Sequence, residues 1–256
     1  MNALLPAKET FVELAAAGYN LIPVRGEVPV GAVAVETLFH RLARDGRGFL
    51  LEGEAFGEAT GGRVVIGFDP LARLSLFGTA AELKVGPRRR RLDGRPLTVL
   101  QQTLDVIRCP EQPPEMAVAG ALFGYLDYDA AATFERVRGV VLPDDRLLGE
   151  WLLCRSLVFY TPGAQQATVV CQVPVTGKQQ AATAYAAAAR SVRRIAGLLA
   201  GGKETPLQGE PVSFALAVGE TVRASYTKNV RAAKEYIKAG EAFQIVLSHP
   251  FTCPAG

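Results

Sequence analysis

The chain has 256 residues, which is enough for one large domain or two small ones. Hydrophobic residues make up 49% of the chain and charged residues 21%, a composition that excludes an intrinsically disordered protein. The net charge of +3 gives no support for nucleic-acid binding. The sequence has no signal-peptide pattern and no apolar run of about eighteen residues, so we expect a cytoplasmic protein without a membrane span.

The first predicted elements are a helix and several short strands. Residues 34–46 carry apolar side chains at helical spacing and end at a glycine, which predicts a helix that stops near Gly46. Short strands separated by glycine-rich turns are predicted in GFLLEG, RVVIGF and ARLSLFG. The basic run 87–91 between two apolar segments is interpreted as a solvated hairpin turn rather than a nucleic-acid patch.

The middle of the chain predicts a helix, a hairpin and a second helix. PLTVLQQTLDVI has a proline in its first turn, as helices often do. Residues 116–131 are expected to form a strand that runs into a loop. Two apolar runs around Thr-Pro-Gly within residues 150–175 predict a β-hairpin, and the alanine-rich stretch Gln179–Leu199 predicts a helix. Together these elements predict an α+β fold with antiparallel β-sheets packed face to face and peripheral helices.

A change of domain is expected after this helix. The stretch 203–213 is rich in glycine, proline and charged residues, which is typical of a linker. We therefore expect one domain over residues 1–205 and the beginning of another over residues 206–256. In the second, apolar residues at helical spacing from Tyr226 to Ile237 predict a helix, Gly240 its stop, and AFQIVLS a strand that carries Gln244.

The four cysteines do not predict a zinc site. Cys109, Cys154, Cys171 and Cys253 include no C-x-x-C pair, which is the spacing typical of structural zinc. Cys154 and Cys171 lie in apolar runs typical of strands, where a free thiol behaves as a small hydrophobic group. We expect reduced thiols, as is usual in the cytoplasm.

The C-terminal segment resembles the start of the chorismate-binding domain of the anthranilate synthase component I family. The family pattern is approximately Y-x3-V-x2-AKEYI-x-AGD-x-FQVVLSQRF, and the chain has YTKNVRAAKEYIKAGEAFQIVLSHPF from Tyr226. It departs from the pattern at Glu241, at Ile245 and at His249–Pro250. In the family about as much chain again follows this point, so the resemblance implies that the catalytic C-terminal half of the protein is missing here, apart from the beginning of its domain.

The N-terminal part resembles the same family in the expected order. The family's LLES strand and GRYSFIGFDP segment correspond to LLEG at 50–53 and GRVVIGFDP at 62–70. Its GGLVGYFGYD is similar to AGALFGYLDYD at 119–129. Its FE and DxPD-like segments are similar to Phe134–Glu135 and to LPDD at 142–145.

The resemblance implies a tryptophan effector pocket at Leu51, Glu52 and Gly53, with Arg63 as a basic candidate. A carboxylate suits the ammonium group of a bound amino acid, and a hydroxyl or a cation suits its carboxylate. Where the family has serine this chain has Gly53, so the hydroxyl donor is missing and tryptophan regulation is expected to be weakened. The alternative is that Glu52 is a solvated residue at a strand end.

Gln244 is the candidate for the substrate pocket. In relatives that add water to chorismate, a lysine at the matching place acts as general base. A neutral amide cannot accept a proton from water near pH 7, so Gln244 favours the ammonia-using branch, which makes anthranilate or aminodeoxychorismate. Satisfaction of the amide by neighbouring backbone groups is the alternative.

Other polar residues predict no catalytic group in this chain. His40 is expected on a helix surface, and His249 stands where the family has glutamine. The acidic residues Asp127, Asp129, Asp144 and Asp145 are interpreted as solvated loop residues rather than metal ligands. The family's magnesium-binding glutamates belong to the C-terminal half, so Mg²⁺ is implied only for the complete enzyme.

The resemblance implies part of an anthranilate synthase component I. The complete enzyme would bind chorismate, receive ammonia from a glutamine amidotransferase subunit (component II), and release anthranilate and pyruvate. The chain alone is expected to be inactive. The alternatives are a fragment of aminodeoxychorismate synthase component I and a stand-alone amino-acid-binding regulatory domain, which a strand left unpaired in the C-terminal segment disfavours.

Overall fold

The protein is represented by a computed structural model that describes residues 3–31, 33–44, 46–52, 62–136, 141–201 and 220–249. The chain divides into two compact units, Met1–Pro206 and Leu207–Gly256. The predicted linker at 203–213 lies outside the described residues. The assignment of the two units to a regulatory domain and a catalytic domain therefore stays a prediction.

The described part of the first unit contains eight strands and four α-helices. The strands are β1 (Leu21–Pro29), β2 (Gly48–Leu51), β3 (Val64–Leu76), β4 (Ala80–Val85), β5 (Arg88–Asp93), β6 (Phe123–Leu126), β7 (Gly149–Tyr160) and β8 (Gln166–Pro174). The helices are α1 (Lys8–Ala16), α2 (Val35–Leu42), α3 (Pro96–Asp105) and α4 (Lys178–Ala200). Short 3₁₀ turns lie at Pro114–Met116 and Tyr128–Thr133.

All eight strands belong to one antiparallel sheet. Its order is β1-β8-β7-β3-β4-β5, with β2 paired to β3 and β6 paired to β7. The predicted β7–β8 hairpin is confirmed, and its turn contains Gly163 at φ 82°, a conformation that favours glycine. The α+β class is confirmed as well. The sequence predicted separate sheets packed face to face, but the described strands form a single sheet. The long strands β3 and β7 pair along most of their length and so join the strands on either side of them.

Strand β3 joins two segments that the sequence predicted as separate strands. RVVIGF and ARLSLFG form one continuous strand of 13 residues with a shift in register between Pro70 and Ala72. Proline has no N–H to donate to a neighbouring strand, so a bulge is the place where a long strand tolerates it. Asp69, directly before the bulge, has φ 56°.

The basic run lies on a strand rather than in a turn. The turn between β4 and β5 is formed by Gly86 and Pro87, with Gly86 at φ 57°. Arg88–Arg91 extend along β5 and are exposed. The predicted hairpin is therefore confirmed, but its arginines take part in the β4–β5 pairing, because only two residues are needed for the turn.

The main core lies between one face of the sheet and three helices. Helix α4 buries Ala181, Ala188, Val192, Ile195 and Leu199, which recur at helical spacing. Helices α1 and α2 add Phe11 and Leu38 to the same core. The predicted helices at 34–46 and 179–199 are thus confirmed, and each exists because its apolar stripe meets the sheet.

Two smaller clusters complete the first unit. On the other face of the sheet, Val65, Leu157, Phe159 and Val170 pack under the segment that contains Met116 and Ala119. Near β4 and β5, helix α3 places Val99 against Leu74, Leu76 and Ala81. The first of these clusters lies beside the candidate effector residues.

The described part of the second unit consists of one helix and an irregular segment. Helix α5 (Glu220–Lys238) confirms the helix predicted from the spacing, and Gly240 at φ 79° confirms the glycine stop. The strand predicted at 242–248 is wrong, since no described residue pairs with this segment and a strand needs a hydrogen-bonded neighbour. None of the described helices has the length and apolarity needed to cross a lipid bilayer.

Candidate effector and substrate sites

The candidate effector residues come together at one end of the β2–β3 pair. Leu51 is the last residue of β2 and lies opposite Val65 near the start of β3. Because the strands are antiparallel, Glu52, which follows β2, and Arg63, which precedes β3, lie at the same end of the pair. Gly53 lies outside the described residues. Leu51 packs against the apolar cluster around Val65.

Glu52 and Arg63 differ in their surroundings. Glu52 is exposed and makes no hydrogen bond or ion pair within the described part of the chain. Arg63 is half-buried, and its guanidinium lies 4.9 Å from the centre of the Phe159 ring, in range of a cation–π contact. A role for either side chain in holding an effector stays a prediction.

Arg63 belongs to a polar chain of contacts on the sheet. Its Nη1 donates to Thr168 Oγ1 at 3.0 Å, and Nη2 donates to the carbonyl oxygen of Glu115 at 3.2 Å. Thr168 Oγ1 in turn donates to Glu27 Oε1 at 2.7 Å. These contacts join β1, β8, the residue before β3 and the segment that contains Glu115, and they place a carboxylate and a guanidinium on either side of the Thr168 hydroxyl.

The segment at 109–121 is held over this face of the sheet by two further contacts. Gln172, only 1% exposed, donates from Nε2 to the carbonyl oxygen of Cys154 at 2.6 Å and accepts from the backbone N–H of Gly120. Arg25 Nη1 lies 3.0 Å from Met116 Sδ. The buried amide thus satisfies a backbone group on each side of it, as a buried polar group requires.

Sequence reasoning missed Glu27, Thr168 and Gln172. Each is a polar residue between apolar or glycine neighbours, and the spacing along β1 and β8 places all three on the same side of the sheet. That spacing was the available signal. It does not tell which residues of other strands the side chains meet, because Glu27 and Thr168 are 141 positions apart in the chain.

Gln244 lies in the irregular segment after α5. Its side chain is exposed and has no hydrogen-bond partner among the described residues. The apolar neighbours Phe243 and Val246 are 96% and 82% exposed. The described residues therefore do not form a pocket around Gln244, and its role as a substrate-pocket residue stays a prediction.

Two of the four acidic loop residues, Asp127 and Asp129, form an ion-pair cluster with Arg146. Arg146 Nη2 lies 2.9 Å from Asp127 Oδ2 and 2.6 Å from Asp129 Oδ2. The hydrogen bond from Arg146 holds the pKa of Asp127 below its usual value. No group of three or more candidate metal ligands occurs within the described ranges. These two carboxylates are paired with an arginine, whereas the sequence predicted solvated loop residues.

Comparison with known proteins gives the family of the chain. Residues 52–256 match the sequence model of the chorismate binding enzyme family. This match covers more than half of the chain and includes both described units, from Glu52 onward. The chain belongs to the chorismate binding enzyme family.

Three similar proteins from different organisms share one name, anthranilate synthase component 1. The chain is 28% identical to anthranilate synthase component 1 of Synechocystis sp. over 95% of its own length and 50% of that protein. The protein of the same name from Acetivibrio thermocellus is 24% identical over 93% of this chain and 49% of its own. The protein of this name from Cereibacter sphaeroides is 32% identical over 78% of this chain and 41% of its own length. The chain spans about half the length of the curated relatives it matches.

Proposed function

We propose that this chain is the amino-terminal part of an anthranilate synthase component I. The observation that carries the proposal is the alignment of 95% of the chain with half of a protein of that name, in a family whose members bind chorismate. The complete protein would use Mg²⁺ and ammonia from a glutamine amidotransferase subunit to convert chorismate into anthranilate and pyruvate. Residues 1–256 alone are expected to form no anthranilate, because they span only about half of the relatives' length.

Aminodeoxychorismate synthase component I is the second candidate. It belongs to the same ammonia-using branch, and the neutral amide of Gln244 is compatible with both, since neither reaction needs a base at that position to activate water. The two candidates differ in which ring carbon receives nitrogen. The identity of the product therefore separates them, and tryptophan binding bears on them only indirectly.

The test uses the complete reading frame that contains these 256 residues. The protein is co-expressed with a glutamine amidotransferase subunit, purified, and incubated with chorismate, glutamine and Mg²⁺. Fluorescent anthranilate and stoichiometric pyruvate support the first candidate. A product that yields p-aminobenzoate only after an added lyase supports the second. Reactions without Mg²⁺ are the control. If neither assay shows a product, a stand-alone binding domain becomes the better proposal.

The effector role is tested on the 256-residue chain itself. We propose that Glu52 receives the ammonium group of tryptophan and that Arg63 contributes positive charge beside it, supported by their position at one end of the β2–β3 pair. Gly53 offers no hydroxyl, so tryptophan binding is expected to be weak. Calorimetry should show tighter binding for Gly53→Ser and weaker binding for Glu52→Gln, and equal affinities in all three proteins would contradict the assignment.

A further inference from the structure

A cleft of about 430 Å³ lies beside the bulge of β3. Its walls come from Gly46 and Arg47 before β2 and Gly48 at its start, from residues 69–73 at the bulge, and from Lys84 and Glu150 on the neighbouring strands. The volume falls within the range of about 300 to 1,000 Å³ that is usual for small-molecule pockets. The cleft is separate from the contacts of Arg63, and neither candidate function described above uses it.

Three cations form a row across the sheet, and two of them, Arg73 and Lys84, line this cleft. Arg73 lies directly opposite Lys84, and Lys84 lies directly opposite Arg89. Directly opposed residues of neighbouring strands present their side chains on the same face, where like charges repel each other. Such a row lowers stability unless negative charge compensates it.

The two outer cations of the row have carboxylate partners. Arg73 Nη1 lies 3.5 Å from Glu150 Oε2, and Arg89 Nη1 lies 3.6 Å from Glu82 Oε1. The other carboxylate of the cleft, Asp69, lies 3.2 Å from Arg155 Nε. Both acidic groups in the cleft wall are therefore already paired with an arginine.

The central cation, Lys84, has no such partner among the residues that the structure describes. Lys84 is half-buried and makes no hydrogen bond or ion pair in the described part of the chain. It lines the cleft between two other positive charges, with paired carboxylates as the only negative groups in the described wall. A partly desolvated ammonium in this position favours a bound negative charge over an empty cleft.

We propose that this cleft binds a small anion through a carboxylate or phosphate group, with Lys84 as its main ligand and Arg73 as the second cation. Lysine supplies a compact charge with three donors, and arginine supplies a planar fork that matches the oxygen pairs of both groups. The walls limit the ligand to a small molecule. The proposal is independent of the proposed function, since it requires neither chorismate nor tryptophan.

Calorimetric titration of the 256-residue chain at low ionic strength tests the site, with inorganic phosphate and malonate as separate probes. Lys84→Gln should weaken binding by about tenfold or more, the loss expected when a charge-assisted hydrogen bond is removed. Arg90→Gln is the matched control. It removes the same charge from the same hairpin, but Arg90 lies opposite Leu83 and therefore on the other face. Lys84→Arg should retain binding.

Each outcome of the titration decides the proposal. Binding of phosphate, of malonate or of both that is lost in Lys84→Gln and kept in Arg90→Gln supports the site, and the better probe identifies the ligand group. Equal weakening in both variants would indicate a general charge effect and overturn the site, as would no binding of either probe below about 10 mM. Unchanged near-UV circular dichroism of the variants shows that the fold is intact.

Discussion

The ring of Phe49 lies directly over Gly67, its partner on the neighbouring strand. A Cβ atom at Gly67 would overlap this ring, so the glycine is required by the close approach of an aromatic side chain. The same ring stacks on Phe123, with centroids 4.2 Å apart and an angle of 27° between the planes. Gly67 thus allows the aromatic pair to join β2 to β6, whose first residue is Phe123.

We expect Gly67→Ala to destabilise the chain by about 1 to 3 kcal/mol, because Phe49 must move and lose its contact with Phe123. Urea unfolding followed by circular dichroism measures the change. Gly197→Ala is the matched control. Gly197 lies within α4 with open space around it, so the same substitution there should stabilise the chain by about 0.5 to 1 kcal/mol. The same sign at both sites would contradict this explanation.

A second prediction concerns Ser156, which is fully buried in β7. Its hydroxyl oxygen has no hydrogen-bond partner among the described residues. Burial of an unsatisfied hydroxyl costs about 1 to 3 kcal/mol, so Ser156→Ala should leave the free energy of unfolding unchanged or raise it. Ser75→Ala should lower it, because Ser75 donates a hydrogen bond to Glu150 at 3.2 Å. A loss of stability in Ser156→Ala as large as that in Ser75→Ala would show that the Ser156 hydroxyl has a partner.

The buried thiols predict a dependence of stability on alkaline pH. Burial raises the pKa of Cys154 to about 12 and that of Cys171 to about 11, from an ordinary value of 9.0. Folded-state pKa values above the unfolded value give stability that is complete below pH 9 and is lost as the pH rises toward 11 and 12, since only the unfolded thiols ionise in that range.

The free energy of unfolding should therefore fall between pH 9 and pH 11, and it should fall less steeply in Cys154→Ala than in the unsubstituted chain. Iodoacetamide at pH 8, with mass spectrometry of the digested chain, gives an independent check. Cys154 and Cys171 should be modified only in urea. Rapid modification of either thiol in the native chain would contradict the predicted burial.

The Arg146 cluster predicts a dependence on acid pH. Arg146 holds the pKa of Asp127 below the usual value of 3.8. A lowered folded-state pKa gives stability that is present above pH 3.8 and is lost as the pH falls through the folded value. Arg146→Gln should therefore be less stable than the unsubstituted chain at pH 7, and the difference should be smaller at pH 2.

The control for this prediction is Arg91→Gln. Arg91 and Asp93 form an ion pair whose side chains are 76% and 87% exposed, and such pairs contribute little to stability. Urea midpoints measured at both pH values should be unchanged by this substitution. A difference between Arg146→Gln and the unsubstituted chain that is as large at pH 2 as at pH 7 would mean that Arg146 acts through contacts other than the two carboxylates.

Most of the regular elements of the first unit follow from local sequence. The helix at Gln179–Leu199 was predicted because apolar residues three or four positions apart share one face of a helix. The hairpin at 150–175 was predicted from two apolar runs with a glycine in the turn between them. The stop at Gly240 was predicted because glycine also favours the end of a helix. The family resemblance also follows from the sequence alone, because it depends on residue order and spacing.

The tertiary structure decided what depends on partners distant in the chain. The continuity of β3 across Pro70 depends on its pairing with β7, and the contact of Arg63 with Thr168 depends on strands more than 100 positions apart. The strand expected around Gln244 is not formed among the described residues because periodicity supplies an apolar pattern but no hydrogen-bonded neighbour. Sequence determines what each segment favours, and the packing of segments determines which side chains meet.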